Sequence, residues 1–207
     1  MILRYALHSI LLLFSLMVVQ QAQAESSGDK SEDIVFAQCA GCHIPGEDGS
    51  LSRISQQRKS PEGWEMSINR MRLMHGFKLS GLDIPIAQSG IHELVKQLAD
   101  TQGLAPQEAA PYRYLIEQDL NRVEEGFDPD LVVMCGRCHT SARFALQRRS
   151  EIEWERLVHF HLGQFPSVEY SLFGRDREWM NIALNETVPA LAKEFPLESQ
   201  SWSEWQA

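Results

Sequence analysis

Two short segments hold every cysteine in the chain: Cys39-Ala40-Gly41-Cys42-His43 and Cys135-Gly136-Arg137-Cys138-His139. Each is a C-x-x-C-H motif. Paired thiols at this spacing on a turn can form thioethers with the vinyl groups of one porphyrin, while the adjoining imidazole swings beneath the ring onto iron, which is the c-type haem attachment pattern. Other uses of the motif fit less well. A zinc ribbon spaces its C-x-x-C units by about 12 to 20 residues, whereas 92 residues separate Cys42 from Cys135. A thioredoxin-like pair expects a βαβ setting, and the flanking sequence reads as helices. The motifs therefore predict two covalent haems, with Cys39, Cys42, Cys135 and Cys138 as attachment points and His43 and His139 as iron ligands.

The segment after each motif repeats. Arg53, Gln57, Arg58, Ser60, Trp64 and Glu65 recur as Arg143, Gln147, Arg148, Ser150, Trp154 and Glu155, at a constant offset of 90, with Lys59 facing Arg149. The cysteines are offset by 96, so the first copy holds six extra residues, in the loop around Pro45 to Ser50. Two homologous haem modules follow. A helix should start at each serine: Ser60 precedes Pro61 as an N-cap, and Ser150 with Glu153 makes a capping box. The first helix stops at Gly76, the second runs to about Gly163. Met71 and His161 hold the same repeat position, about two turns beyond the tryptophan. They are the expected sixth ligands, Met71 opposite His43 and His161 opposite His139. Met74 and His75 remain alternatives to Met71, and His159 remains the alternative to His161.

Such mixed ligation has a redox consequence. A thioether stabilises ferrous iron relative to a second imidazole, so electrons would run from the second haem to the first. Arg53, Arg58, Arg143 and Arg148 lie between the iron ligands of each module, where a guanidinium fork suits haem propionates. Trp64 and Trp154 are expected as walls packing on porphyrin, with indole N–H groups able to reach a propionate.

These sites must be carried by an exported helical protein. Residues 1–24 read as a signal peptide, with Arg4, an apolar run from Tyr5 to Val19 and the small-x-small site Ala22-Gln23-Ala24. No later run is apolar enough to span a bilayer, so no membrane span remains after cleavage and the location is periplasmic. Removing 24 of 207 residues leaves 183, with 18 Lys plus Arg against 28 Asp plus Glu. That acidity speaks against general nucleic-acid binding. The fold class is all-α, two tandem cytochrome c-like haem modules over 25–110 and 111–207. Ser31 to Gln38 and Tyr112 to Val123 lead into the two motifs, Ile91 to Leu98 is amphipathic, and Trp179 to Phe195 is a helix broken at Pro189. Gly163 to Arg177 reads as a loop over the second haem.

Arg53-Ile54, Gln57-Arg58-Lys59, Pro61-Glu62-Gly63-Trp64, Arg70-Met71, Gly103-Leu104-Ala105-Pro106, Gly163-Gln164-Phe165-Pro166, Glu169-Tyr170 and Gly174-Arg175-Asp176-Arg177 together resemble the haem-binding domain of the quinohaemoprotein amine dehydrogenase alpha subunit. The resemblance covers nearly the whole mature chain. It implies a di-haem cytochrome c that takes electrons from a quinone-bearing dehydrogenase subunit and passes them to a blue-copper protein or another cytochrome. The family's alpha subunit also has β-rich domains, which lie outside this match. No catalytic base or quinone precursor is evident, so the chain reads as an electron-transfer protein. The competing reading is a haem enzyme such as a peroxidase, which requires one open iron position.

Overall fold

The computed structural model describes residues 33–78, 84–136, 138–168 and 179–207. The expected signal peptide and the portion of the expected haem loop from 169 to 177 lie outside the described residues. Helix α1 (Asp33–Cys39) leads into the first motif, followed by strand β1 (Gln57–Lys59), α2 (Pro61–His75), α3 (Ile84–Thr101) and α4 (Pro106–Ala109). A 3-10 helix (Ala110–Leu115) then leads to α5 (Pro129–Cys135), α6 (Ala142–Ala145), β2 (Gln147–Arg149) and α7 (Glu151–Gln164). The chain closes with α8 (Trp179–Ile182), a π-helical turn (Ala183–Thr187), α9 (Val188–Glu194) and α10 (Gln200–Gln206). Among the described residues no helix is long and apolar enough to cross a membrane.

The protein is mostly helical, with one feature the sequence hides. The two repeated segments pair with each other as an antiparallel two-stranded sheet, Gln57 opposite Arg149, Arg58 opposite Arg148 and Lys59 opposite Gln147. Strands of three polar residues show no alternation of apolar side chains, so periodicity cannot reveal them. The same hydrogen-bond pattern then occurs twice. In the first half the Gln102 carbonyl accepts both the Lys59 amide (3.0 Å) and the Trp64 indole (2.8 Å). In the second, the Phe195 carbonyl accepts the Arg149 amide (3.5 Å) and the Trp154 indole (3.4 Å). Lys59 lies over the Trp64 ring as Arg149 lies over that of Trp154.

Each tryptophan anchors its own core. Trp64 packs with Ile68 and with Ile91, Leu94 and Leu98, the apolar stripe of α3. Trp154 packs with Leu131, Met134, Phe144, Val158, Trp179 and Leu191. The C-terminal segment returns to the first half: the Leu197 carbonyl accepts from Arg58, and the Trp202 ring lies 4.5 Å below that guanidinium.

Three local expectations change. Ser60 caps α2 through Gly63, but the capping box at Ser150 does not form. Glu153 is drawn instead into a buried cluster, where it accepts from Gln57, and the Ser150 amide is taken by the Gln56 carbonyl. The lead-in from Tyr112 is a short 3-10 helix followed by turns rather than an α-helix, with Gln118 left-handed at φ 55°. Before Pro189 the break takes the form of a π-turn, because the proline lacks an amide to donate.

Candidate haem sites

The first C-x-x-C-H continues from the end of α1 as a hydrogen-bonded turn. The Cys39 carbonyl accepts from the amides of Cys42 (3.1 Å) and His43 (2.9 Å), which sets the two thiols one turn apart. Burial, helped by the neighbouring Cys42, pushes the Cys39 thiol up to about 11, and burial pushes that of Cys135 up to about 12. Burial thus favours the neutral thiol at both of these positions. Among the described residues no three His, Cys, Asp or Glu side chains gather as a metal cage.

His43 is held by its Nδ1, which donates to the Ser52 carbonyl at 2.7 Å. The six extra residues of the first copy explain how that carbonyl arrives. Pro45 bridges to Leu51, the Gly46 amide donates to Ser50, and left-handed Gly49 (φ 80°) closes a hairpin. Ser52 then exchanges backbone and hydroxyl hydrogen bonds with Ile44, next to His43. A carbonyl on Nδ1 fixes the ring tautomer and leaves Nε2 for a metal.

The same logic holds in the second copy. Nδ1 of His139 donates to the Thr140 carbonyl (2.9 Å), and Nδ1 of His161 to the Leu157 carbonyl (2.8 Å). The two rings face each other with centroids 6.4 Å apart and planes inclined by 49°. An imidazole nitrogen binds a metal at about 2 Å, and the ring centre lies about 1 Å further back, so two imidazoles on opposite faces of one iron have centres about 6 Å apart. The gap therefore fits one iron. Burial depresses the basicity of both rings, against the help of their carbonyl partners, keeping them in the neutral form that ligates. His159 lies elsewhere, on the exposed face of α7 beside Glu155. The loop bearing His139 is braced by Glu124, whose carboxylate accepts from the Ser141 amide and the Tyr114 hydroxyl.

Met71 is half-buried near the end of α2, and its carbonyl accepts the cap amides of Gly76 (φ 69°) and Phe77. Met74 and His75 are exposed. Exposed apolar side chains neighbour both motifs in sequence, Phe36 and Ile44 at the first and Val133 at the second, while Phe165 lies 6.4 Å from the His161 ring and Leu73 and Met74 are exposed on α2. A porphyrin face is the kind of surface that such side chains cover.

The four arginines divide into two kinds. Arg58 and Arg148 are buried and converge on Glu108, at 2.7 and 3.3 Å. Their hydrogen-bonding capacity is further taken by the carbonyls of Leu197, Gly103, Ala145, Gln147 and Glu108. Two strands in antiparallel register bring these residues together at the junction of the halves, where protein acceptors occupy both guanidiniums. Arg53 and Arg143 remain at the surface. Arg53 is left-handed (φ 67°) and reaches Glu153 at 3.4 Å. Trp64 and Trp154 are buried in the two cores, and both indole N–H groups are taken by backbone carbonyls rather than left for a propionate. Sequence reasoning missed Ser52, Glu108, Glu124 and Glu153. Only Glu153 carries a signal, as an acid in the repeated region, and its local pattern points to a helix cap.

A family model described as quinohemoprotein amine dehydrogenase A, alpha subunit, haem binding matches residues 29–202. The chain belongs to this family of haem-binding domains. No curated protein matches it significantly.

Proposed function

We propose that the chain is an exported di-haem c-type cytochrome that carries electrons, either as the outlet of an amine dehydrogenase or as a carrier related to one. The observation that carries this is the His139–His161 pair, facing across a gap that suits one iron, with both Nδ1 atoms already bonded. Haem would supply one-electron ferric–ferrous chemistry. The residues do the rest. Cys39, Cys42, Cys135 and Cys138 tether the macrocycles, His43 and His139 ligate from the motif side, and Met71 and His161 close the opposite faces. With both faces closed, little room is left for peroxide, and electron transfer is favoured over catalysis at iron. Arg53 and Arg143 are the members of the repeated arginine set best placed for propionates. The donor would be a quinone-bearing subunit and the acceptor a blue-copper protein or another cytochrome, met in the periplasm.

Purification from the native periplasm by haem absorbance, followed by identification of every polypeptide in the peak, tests the assignment. Co-migration with a small quinone-bearing subunit supports the outlet, and a lone chain with two covalent haems supports a freestanding carrier. Haem lost on denaturation, or high-spin ferric iron reacting rapidly with peroxide, overturns the reading.

A further inference from the structure

Where the halves meet, positive charge exceeds what the protein neutralises. Arg53, Arg149 and Arg156 all address the single fully buried carboxylate of Glu153. Lys59 is buried beside them and donates to the Ser67 hydroxyl. Burial first, then the charges of Arg149, Arg70 and Arg53, hold its ammonium well below the ordinary range. Arg53 and Arg156 are partly open to water, so the cluster stands as it is and attracts a further anion to its edge.

Arg70 shows where that anion belongs. It is borne by α2, the helix of Met71, yet its guanidinium stacks 4.5 Å over Phe160 of α7. The Phe160 ring lies 5.9 Å from that of His161, which in turn faces His139. Arg143 is exposed on α6, whose first turn is tied to the Thr140 carbonyl that also holds His139. Arg70 is less basic than an ordinary arginine, through burial first and then the charge of Arg143. Among the described residues neither Arg70 nor Arg143 has an ion pair or donates a side-chain hydrogen bond. Two guanidinium forks without carboxylates, at the edge of a gap sized for haem, match a haem propionate in charge and shape.

We propose that Arg70 and Arg143 clamp one propionate of the haem held between His139 and His161, so that the first half of the chain completes the site of the second haem. This rests on the bis-histidine reading above. Arg70 precedes Met71, so a single helix turn would touch the surroundings of both haems and link their potentials.

The test uses the holoprotein with haem propionates labelled with carbon-13 from aminolaevulinate, titrated with the two low-spin iron signals followed separately. Removing a nearby positive charge favours ferric iron, so R70Q and R143Q should each lower the midpoint potential of the bis-histidine signal and shift its labelled carboxylate band. The double variant should shift less than the sum, because both act on one carboxylate. K96Q, on an exposed ion pair within α3, should change neither. Wild-type potential and wild-type carboxylate band in both R70Q and R143Q overturn the clamp. Absence of any bis-histidine signal in the unmodified protein sinks the ligation reading instead, and is seen before any substitution is made.

Discussion

Arg58 stands directly across the two-stranded sheet from Arg148, its repeat equivalent 90 positions on, and both guanidiniums close on Glu108. The carboxylate also accepts from the Ser199 hydroxyl and the Ala105 amide, so this one side chain joins both repeats, the linker and the C-terminal segment. Burial alone would raise its pKa, but the hydrogen bonds from Arg58, Ser199 and Ala105 and the charge of Arg148 outweigh it and bring it to about 2.

Glu108→Gln should therefore destabilise the fold strongly, because two buried guanidiniums lose their counter-charge. A loss of about 3–5 kcal/mol is expected for breaking a buried pair from one side, read as a lowered urea midpoint. The pH dependence has a definite sign. A depressed folded pKa contributes stability above the unfolded value, about 4.3 for Glu, and that contribution is lost as pH falls through about 2. The wild type should weaken across this acid window, and the Gln variant should lose that component of the slope. An unchanged slope would show that Glu108 is not the titrating group.

How much of this was legible follows from what each signal depends on. The C-x-x-C-H motifs, the repeat and the α2 stop at Gly76 are local patterns, and the αL cap at Gly76 forms as expected. Repeat register, not hydropathy, singles out position 161, whose ring lies 6.4 Å from that of His139. A guanidinium fork suits a propionate and a buried Glu equally well, and only the tertiary pairing of β1 with β2 brings Arg58 and Arg148 onto Glu108. The same pairing was invisible because its strands are short and polar. Glu153 offered a good local capping pattern, overridden by Arg149, Arg156 and Arg53 converging on it.

His161→Ala should open the second iron alone, and Met71→Ala the first alone. In each variant one haem of the pair should bind carbon monoxide when reduced and turn high-spin when oxidised, while the other stays six-coordinate. If both variants keep both haems low-spin, the register that equates Met71 with His161 has assigned the wrong ligands. His159→Ala serves as the contrast: its ring is exposed beside Glu155, so both spectra should stay unaltered.

The two attachment sites should be separable by mass. Under denaturing conditions the wild type should carry two covalent haems, and replacing Cys39 and Cys42 together, or Cys135 and Cys138 together, should remove one. Both thiols of a pair must be replaced, since a single remaining thioether can still retain the macrocycle. A wild-type mass without added haem would discard the c-type assignment outright.

The hairpin over residues 45–50 should tune the first haem selectively. It delivers the Ser52 carbonyl to Nδ1 of His43, and a hydrogen bond at that nitrogen raises the donor strength of the ligating one. Deleting the six residues should leave the imidazole without this acceptor and make it a weaker donor to ferric iron. The first midpoint potential should then rise, with the second unmoved, because His139 draws on its own neighbour Thr140. Equal shifts at both haems would point to a general loosening of the fold, and no shift at the first would mean that the Ser52 carbonyl does not govern His43.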